Sequence, residues 1–266
     1  MLAQIHDYSQ ISPLVSACLR PGVLTNCVLT PEDYRREIAA GTLLHLQWAG
    51  GLVFLRRRED FDLLNFYLND PARLPDWQPA RETVLELPRR GSGASPAAAF
   101  WENLGFFPLL NRVRLSRPKL PETPADPQAE ISLAQAMSLL NSSFDPRTGC
   151  LPAAEWLAED FHAGRVLVKT DGADKLIGLL RYSRGSAAEI RHLAVAPAFR
   201  GQGVAKSLVA QFNSATFASR AQVWVREDYA AARSVYENSG FSPDGWISTV
   251  YTKECTQNGS TDEDFK

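Results

Sequence analysis

An octapeptide pattern that occurs twice is the feature of this chain that most restricts its fold. Residues 101–108 read Trp-Glu-Asn-Leu-Gly-Phe-Phe-Pro, and residues 236–243 read Tyr-Glu-Asn-Ser-Gly-Phe-Ser-Pro. Both are an aromatic residue followed by Glu-Asn-x-Gly-Phe-x-Pro, a match too long to attribute to chance. Self-similarity at a fixed spacing is typical of duplicated structural units. The sequence therefore predicts two copies of one fold, and 266 residues suffice for two domains.

A second similarity lies upstream of each octapeptide and shows where the copies differ. Residues 31–41 and 152–164 each read as a helix that ends at a glycine before a strand. From that glycine to the octapeptide glycine there are 64 residues in the first copy and 76 in the second. The residues that the first copy lacks are missing from the segment 72–81, which precedes a strand predicted at 82–87. Pro75 and Pro79 would interrupt a helix in this segment.

The second copy uses the corresponding space for a glycine loop. Residues 200–205, Arg-Gly-Gln-Gly-Val-Ala, follow an apolar strand ending at 193–195 and precede a helix predicted at 206–212. Glycines let the backbone approach a ligand closely, and the free N–H groups of the helix start point back at the loop. This order predicts a phosphate site, although a plain surface turn is the alternative.

Further downstream, a strand is predicted at 221–225 and a helix at 228–238. At this point the region resembles the acyl-CoA site of the GNAT superfamily of N-acetyltransferases. Residues 200–205 match the family's pyrophosphate loop, Gln or Arg, two variable residues, Gly, one variable residue, then Gly or Ala. The family's second motif is matched by Ala232, Tyr236, Gly240 and Phe241, whereas Tyr229 stands where Asn is common. The resemblance covers roughly residues 130–253.

The resemblance implies an α/β (α+β) chain of two GNAT-like domains, each a mixed, mostly antiparallel central sheet flanked by helices. We expect a degenerate domain without the pyrophosphate loop at 1–116, a proline-rich linker at 117–129, a GNAT acetyltransferase domain at 130–254 and a disordered acidic tail at 255–266. Prolines at every third position from 118 to 127 indicate a polyproline II linker. The first copy, without an anion site, is expected not to use acyl-CoA. It either shapes the acceptor pocket or stabilises the chain.

The resemblance also assigns the cosubstrate, acetyl-CoA, to particular residues. The N–H of Val195 is expected to polarise the thioester carbonyl, and its neighbours to pair with the pantetheine arm as an added strand does. Tyr229 stands at a pantetheine contact of the family. The predicted cosubstrate-binding residues are Leu193, Ala194, Val195, Arg200, Gly201, Gln202, Gly203, Val204, Ala205, Lys206, Tyr229 and Tyr236.

Amine acetylation needs a base for the ammonium and an acid for the departing thiolate. Glu189 occupies the strand position of a catalytic glutamate in some family members, and strict alternation places it on one face with Leu193 and Val195 and opposite His192. The alternative is a solvated glutamate paired with Arg191. Glu227 and Asp228 are further candidates for the base. The acid is predicted to be Tyr236, with core packing as its alternative, and His192 to be a hydrogen-bonded core residue.

The acceptor side is predicted less sharply. Helices near 131–144 and 152–162 form one wall of the acceptor cleft in the family. Asp145 could attract an amine and Arg147 a carboxylate, and Phe144, Trp156 and Tyr182 could line the cleft. The alternative for each is an ordinary surface or core residue.

Composition excludes several other functions. The net charge is −2 and basic residues are not clustered, so we expect no nucleic-acid partner. The four cysteines are scattered without metal-ligand spacing, which predicts reduced thiols and no metal. Neither a signal peptide nor a membrane-spanning run is recognised, so we expect a cytoplasmic monomer or homodimer without membrane contact.

The leading hypothesis is an acetyl-CoA-dependent N-acetyltransferase that modifies a primary amine of a small molecule by direct transfer in a ternary complex. One alternative is a non-catalytic acyl-CoA-binding or regulatory module. Another is an N-acetyltransferase of proteins or peptides.

Overall fold

A computed structural model describes residues 2–118, 131–215 and 220–255, which divide between two compact units. Unit 1 contains the residues up to Leu110 and those from Thr249 onward, and unit 2 contains Asn111–Ser248. Most of the predicted linker and the tail from 256 lie outside the described residues. The limits 1–116, 117–129 and 130–254 stay a prediction for the two sequence copies, which do not coincide with the compact units.

The elements follow the order that the repeat predicts. Those of unit 1 are β1 (Ala3–Gln4), α1 (Ser12–Cys18), β2 (Leu24–Thr25), α2 (Pro31–Ala39), β3 (Leu43–Trp48), β4 (Gly51–Arg57), β5 (Phe61–Leu68), β6 (Glu82–Arg90) and α3 (Ala98–Asn103). Those of unit 2 are α4 (Leu133–Ser143), α5 (Pro146–Gly149), α6 (Ala154–His162), β8 (Val166–Thr170), β9 (Leu176–Ser183), β10 (Ala188–Val195), α7 (Val204–Ala215), β11 (Arg220–Arg226) and α8 (Ala230–Glu237). Two strands have residues in both units, β7 (Phe107–Pro118) and β12 (Ser242–Lys253). Two 3₁₀ turns occupy Tyr8–Gln10 and Pro197–Phe199.

Local sequence signals account for the helix starts and for the strands. Thr30 and Ser132 cap α2 and α4, each through a capping box with the residue three positions on. In β11 the apolar residues alternate, so that Ala221, Val223 and Val225 are buried on one face. No helix forms between β5 and β6, as the short spacing and the two prolines predict.

Each unit has a mixed sheet. In unit 1 the strand order is β1-β3-β4-β5-β6, followed by residues 249–253 of β12. In unit 2 the order is residues 242–248 of β12, residues 111–118 of β7, then β11-β10-β9-β8. The pairs β5–β6 and β10–β11 are parallel. Antiparallel pairs are β1–β3, β3–β4, β4–β5, β7–β11, β9–β10 and β8–β9.

Helices pack on both faces of each sheet, which confirms the predicted fold class. In unit 2 one apolar cluster joins the sheet to α7 and α8, and a second joins it to α4 and α6. In unit 1 one cluster joins the sheet to α3, and another joins it to α1 and α2. None of the described helices has both the length and the apolar character that a membrane crossing requires.

The octapeptide repeat has the same backbone geometry in both copies. Gly105 and Gly240 both have φ of +84°, a conformation that favours glycine. Phe106 donates its N–H to the carbonyl of Trp101 at 3.0 Å, and Phe241 donates to that of Tyr236 at 3.1 Å. The repeat in the sequence is therefore a repeat in structure.

The strand that follows each octapeptide completes the sheet of the unit built mainly by the other copy. Seven residues of β7, from Arg112 to Pro118, pair with β11 in unit 2. In unit 1, Thr252 of β12 donates its hydroxyl hydrogen bond to Glu82 of β6 at 3.1 Å. Neither sequence copy therefore supplies every strand of its own unit.

Candidate active site

Strands β10 and β11 pair at their beginnings and then separate. Their parallel register runs from Ala188–Ala221 to Ile190–Val223, whereas β10 continues to Val195. Beyond Ile190, β10 stays paired with β9 on its other edge. The edge that faces away from β9 therefore carries backbone groups that β11 does not bind. We call this opening the unit 2 split.

The N–H of Val195 points into the unit 2 split. In an antiparallel pair, residues that bond the partner strand alternate with residues whose N–H and C=O point away from it. Ala196 donates its N–H to the Ile177 carbonyl at 2.9 Å, so Ala196 bonds β9. The N–H and C=O of Val195, one residue earlier, therefore point away from β9. The backbone groups of Leu193 also point away from β9. Ala194 bonds β9, and its side chain is buried against α4 and α6. Leu193 and Val195 can thus offer backbone groups to a ligand.

The glycine loop lies between the end of β10 and the start of α7. Gly201 and Gly203 have φ of +75° and +81°, and nothing lies within 4 Å of a Cβ built on either residue. Arg200 donates from Nε to the Val195 carbonyl at 3.2 Å, and Gln202 donates from Nε2 to the Ala198 carbonyl at 3.0 Å. The loop is therefore anchored to the end of β10 and leaves open space before its glycines.

The first turn of α7 supplies the other predicted loop contacts. Val204 and Ala205 are half-buried and Lys206 is exposed. Val204 also packs on Gly178 of β9, where a Cβ would lie 2.6 Å from Val204 Cγ1. Gly178, directly opposite Val195, lets the helix start approach the strand. The sequence prediction missed Gly178, although a glycine inside an apolar strand is a signal of close approach.

Tyr236 is buried on α8 within the cluster that includes α7 and β11. Its ring meets Phe241 edge-on, with 5.8 Å between centroids. Burial raises the pKa of Tyr236 above its usual range, so the phenol stays protonated. Its hydroxyl makes no hydrogen bond to any described residue, which leaves its proton free for a ligand. Tyr229 is the N-cap residue directly before α8, and its exposed side chain makes no capping hydrogen bond.

Glu189 lies at the closed end of the split. Arg191 donates to one carboxylate oxygen at 2.5 Å and Gln222 donates to the other at 2.6 Å. Val195 lies six positions beyond Glu189 on β10, about 20 Å away at the usual rise of a strand. The structure therefore does not bring the predicted base next to Val195, and it shows the predicted ion pair with Arg191.

A β-bulge corrects the predicted faces of β10. The register shifts between Ile190 and His192, which reverses the alternation of side chains. As a result Ile190 and Leu193 both join the α7 and α8 cluster, whereas Ala194 joins the α4 and α6 cluster. Glu189 therefore shares a face with His192 and lies opposite Leu193. Strict alternation was wrong here because it assumes a regular strand.

His192 is the buried, hydrogen-bonded residue that the sequence predicts. Its Nε2 lies 2.8 Å from the Gly149 carbonyl, and Phe144 packs edge-on against its ring. Burial, with the Arg181 guanidinium second, lowers the pKa of His192 to about 3. The imidazole is therefore neutral, with Nε2 as the donor to Gly149 and Nδ1 buried without a described partner.

The predicted acceptor residues divide into three groups. Asp145 caps α5 and pairs with Arg147 at 3.0 Å, so each already binds the other. Tyr182 is a core residue that donates to the Gly164 carbonyl at 2.8 Å, on the face of α7. Trp156 is half-buried. The two further candidates for the base, Glu227 and Asp228, are both exposed, and Asp228 pairs with Arg226 at 2.6 Å.

Two tryptophans on the face opposite α7 and α8 were not predicted. Trp224 is the first residue of β11 beyond its last pair with β10, so it stands where the split opens. The guanidinium carbon of Arg114 lies 5.7 Å from the ring centroid of Trp224 and 5.0 Å from that of Trp246. Arg114 also pairs with Asp244 at 2.8 Å. These residues are distant in sequence, so no local pattern could have grouped them. Within the described ranges, no set of three His, Cys, Asp or Glu side chains is grouped to hold a metal.

Comparisons with known proteins agree with this geometry. A family model described as the acetyltransferase (GNAT) family matches residues 133–241. A GCN5-related N-acetyltransferase from Sphaerobacter thermophilus is 15% identical with a TM-score of 0.59, over 96% of this chain and 95% of that one. A tandem GNAT protein from the clavulanic acid biosynthesis pathway is 15% identical with a TM-score of 0.53, over 82% and 84%.

A third similar structure belongs to a larger protein. The GCN5-related glucosamine N-acetyltransferase region of a fungal multi-domain GH3 β-N-acetylglucosaminidase is 13% identical with a TM-score of 0.66, over 95% of this chain and 38% of that one. At these identities the similar structures indicate the fold alone. A search of curated protein sequences found no match. The family match covers the split, the glycine loop and the second octapeptide as far as Phe241, so residues 133–241 are a domain of the acetyltransferase (GNAT) family.

Proposed function

We propose that unit 2 transfers an acetyl group from acetyl-CoA to a primary amine of a small molecule, directly and within a ternary complex. The observation that carries this proposal is the pairing of an open glycine loop with an unpaired strand edge. The loop can hold a pyrophosphate, and the edge can hold the arm that carries the acyl group. Acetyl is proposed because the similar proteins are described as N-acetyltransferases.

The loop fits a pyrophosphate for two reasons. Gly201 and Gly203 leave open space in which a phosphate can approach the backbone. The helix α7 that follows has 12 residues, and its first N–H groups and positive dipole end face the loop. Lys206, exposed in the first turn, adds a positive charge.

The strand edge fits an amide-bearing arm, and unit 1 supplies an internal precedent. There, Asn26 Nδ2 donates to the Leu64 carbonyl at 3.0 Å, and Asn26 Oδ1 accepts from the Phe66 N–H at 2.9 Å. Both backbone groups lie on the edge of β5 that corresponds to the split edge of β10. A pantetheine amide could make the same kind of contact with Leu193 in unit 2.

Acetyl-CoA would supply an activated thioester, and residues of unit 2 would stabilise its reaction. The N–H of Val195 points into the split and would donate to the thioester oxygen as negative charge develops there. Tyr236 retains its proton and can give it to the departing sulfur, and the proton that the attacking amine loses would restore the phenol. Glu189 uses both carboxylate oxygens within the protein, so we assign it no direct contact with the amine.

A non-catalytic acyl-CoA-binding module is the second candidate. It is supported by the engagement of Glu189 with Arg191 and Gln222, which leaves the predicted base occupied. Peptide N-acetylation, cytoplasmic localisation, the absence of nucleic-acid and membrane partners, and a monomer or homodimer also stay predictions.

The test combines calorimetry of CoA binding with a thiol-release assay on acetyl-CoA and a panel of small amines, amino acids, glucosamine and peptides with free N-termini. We expect one CoA site and thiol release that depends on a small amine. Thiol release only with peptides would favour the peptide enzyme. CoA binding without release in the presence of any amine would favour the binding module.

Three variants separate the assigned roles. Tyr236→Phe should lower kcat about a hundredfold, the usual order for loss of a general acid, and leave CoA affinity within about twofold. Glu189→Gln should change kcat by less than about threefold. Tyr182→Phe is the matched control, a buried tyrosine that should lose stability and keep kcat. Turnover unchanged in Tyr236→Phe would contradict the assigned acid while leaving the family membership intact.

A further inference from the structure

One of the two strands that flank β11 in unit 2 is β7, whose residues up to 116 belong to the first sequence copy. Its residues 112–118 pair with β11 in continuous antiparallel register, with Arg114 directly opposite Trp224. Val113 and Leu115 point into the cluster with α7 and α8. By the alternation of a strand, Arg112 and Arg114 project from the opposite face.

Arg114 is fixed on that face from three sides. Its guanidinium stacks over Trp224 and Trp246 and pairs with Asp244, and the two charged side chains are only 14% and 17% exposed. An arginine held by two indole rings and a carboxylate has little freedom, and the rings are held in return. Because Trp224 stands where the split opens, Arg114 determines where that ring lies.

Arg112 fixes a second part of the same face. Its Nη2 donates to the carbonyl of Thr148 in α5. The next carbonyl, that of Gly149, accepts from His192 of β10. The segment that contains α5 is therefore bound to β10, which borders the split, and to β7, the strand of the first copy that pairs with β11 on its other edge.

We propose that the first copy is a functional part of the catalytic unit, in which Arg112 and Arg114 are positioning residues for the acceptor. They act through α5 and Trp224, which form the acceptor side of the split. This inference rests on the proposed function, since it requires an amine that is turned over. Displacements of about 1 Å at such a surface are enough to lower catalysis markedly.

The experiment uses the full-length chain and the panel amine that the wild type acetylates fastest. Arg114→Gln removes the charge and the stack. Arg114→Lys keeps the charge near Asp244 and loses the planar stack. Arg117→Gln is the matched control, because Arg117 is on the same strand, lies over the ring of Phe241 and donates to the Ser239 carbonyl, but faces the opposite side.

We expect Arg114→Gln to raise the KM for the amine about tenfold and to leave the Kd for CoA within about twofold. The KM of Arg114→Lys for the amine should lie between those of Arg114→Gln and the wild type. Arg112→Gln should raise the same KM by about threefold. Arg117→Gln should lower the thermal midpoint without changing the KM for the amine.

Two results would overturn the proposal and can be told apart. If the wild type acetylates the amine and Arg114→Gln lowers only the thermal midpoint, as Arg117→Gln does, the donated strand is purely structural. If the wild type binds CoA and acetylates no amine of the panel, the proposed function fails, and the inference fails with it.

Discussion

The two copies contain the same split, and they fill it differently. In unit 1, β5 and β6 pair only from Phe61–Glu82 to Leu63–Val84, and β5 then continues to Leu68. In unit 2, β10 continues equally far, five residues, beyond its last pair with β11. A glycine faces the end of each strand, Gly51 opposite Leu68 and Gly178 opposite Val195.

In unit 1 the chain itself occupies the split edge. Strand β2 pairs with β5 at Leu24–Leu68 and Thr25–Tyr67. Asn26 then binds the backbone of Leu64 and Phe66, and Thr25 donates its hydroxyl to the Phe66 carbonyl at 2.6 Å. Buried backbone groups need partners, and this short segment provides them.

The fold thus creates an unpaired strand edge in each unit, and short connecting segments determine what binds to that edge. In unit 1 the segment between β5 and β6 has no glycine loop, and a segment from near α1 fills the edge. In unit 2 the glycine loop leaves the edge open and places an anion site beside it.

Gly203→Asp should abolish the main difference between the two units, which is the anion site at the glycine loop of unit 2. The new carboxylate would stand in the open space of the loop and repel a pyrophosphate, so we expect CoA affinity to fall at least about a hundredfold, about 3 kcal/mol. Gly41→Asp is the control, because Gly41 also has a positive φ and open space around its Cβ position. Calorimetry measures both variants. CoA affinity that survives in Gly203→Asp would mean that the loop is only a turn.

The occupant of the unit 1 split can be tested with Asn26→Ala. The substitution leaves the buried backbone groups of Leu64 and Phe66 without their amide partner. The free energy of unfolding, measured with urea, should fall by about 2 kcal/mol. Asn238→Ala, which removes an exposed amide bonded to Ser234, should cost less than about 0.5 kcal/mol. CoA stoichiometry should stay at one. A second bound CoA would show that Asn26, and not the missing loop, excludes it.

The helix start above the unit 2 split can be shifted with Gly178→Ala. The added Cβ would lie 2.6 Å from Val204 Cγ1, so the Val204 side chain, and with it the first turn of α7, must adjust. We expect CoA affinity to fall about tenfold, about 1.4 kcal/mol. Gly51→Ala, whose Cβ would press on the Tyr67 carbonyl in unit 1, should lower the thermal midpoint and leave CoA affinity unchanged. Equal affinity in both variants would refute a role for Gly178 at the loop.

The smallest effect concerns the residue three positions before each strand end, which is Asn65 in unit 1 and His192 in unit 2. Burial lowers the pKa of His192 from 6.5 to about 3. As the pH falls below 6.5, the unfolded chain therefore takes up a proton that the folded chain does not. The free energy of unfolding should therefore fall by about 1 kcal/mol between pH 7 and pH 5.5 because of His192. His192→Asn should reduce that loss, as followed by urea unfolding, and an unchanged pH dependence would contradict the buried neutral imidazole.

Local patterns in the sequence predicted much of this arrangement. The octapeptides located both α3 and α8, and the glycine loop located the start of α7. Three features could not be read locally. The bulge at Arg191 depends on pairing with β9, the filling of the unit 1 split depends on Asn26, some 40 residues before Phe66, and the exchanged strands depend on partners more than 100 residues away. Each is decided by tertiary contacts that override the local pattern.

The exchanged strands also affect the order in which the chain can acquire its structure during synthesis. Unit 1 is made almost entirely of early residues, yet Tyr251 and Thr252 bond to Glu102 and Glu82, 149 and 170 positions earlier. During synthesis on the ribosome, the sheet of unit 1 therefore keeps the edge at β6 unpaired until β12 has been made. Such distant pairings slow folding and expose an edge to other chains meanwhile. The protein thus completes its earliest-made unit last, and a chain that stalls before β12 has neither unit finished.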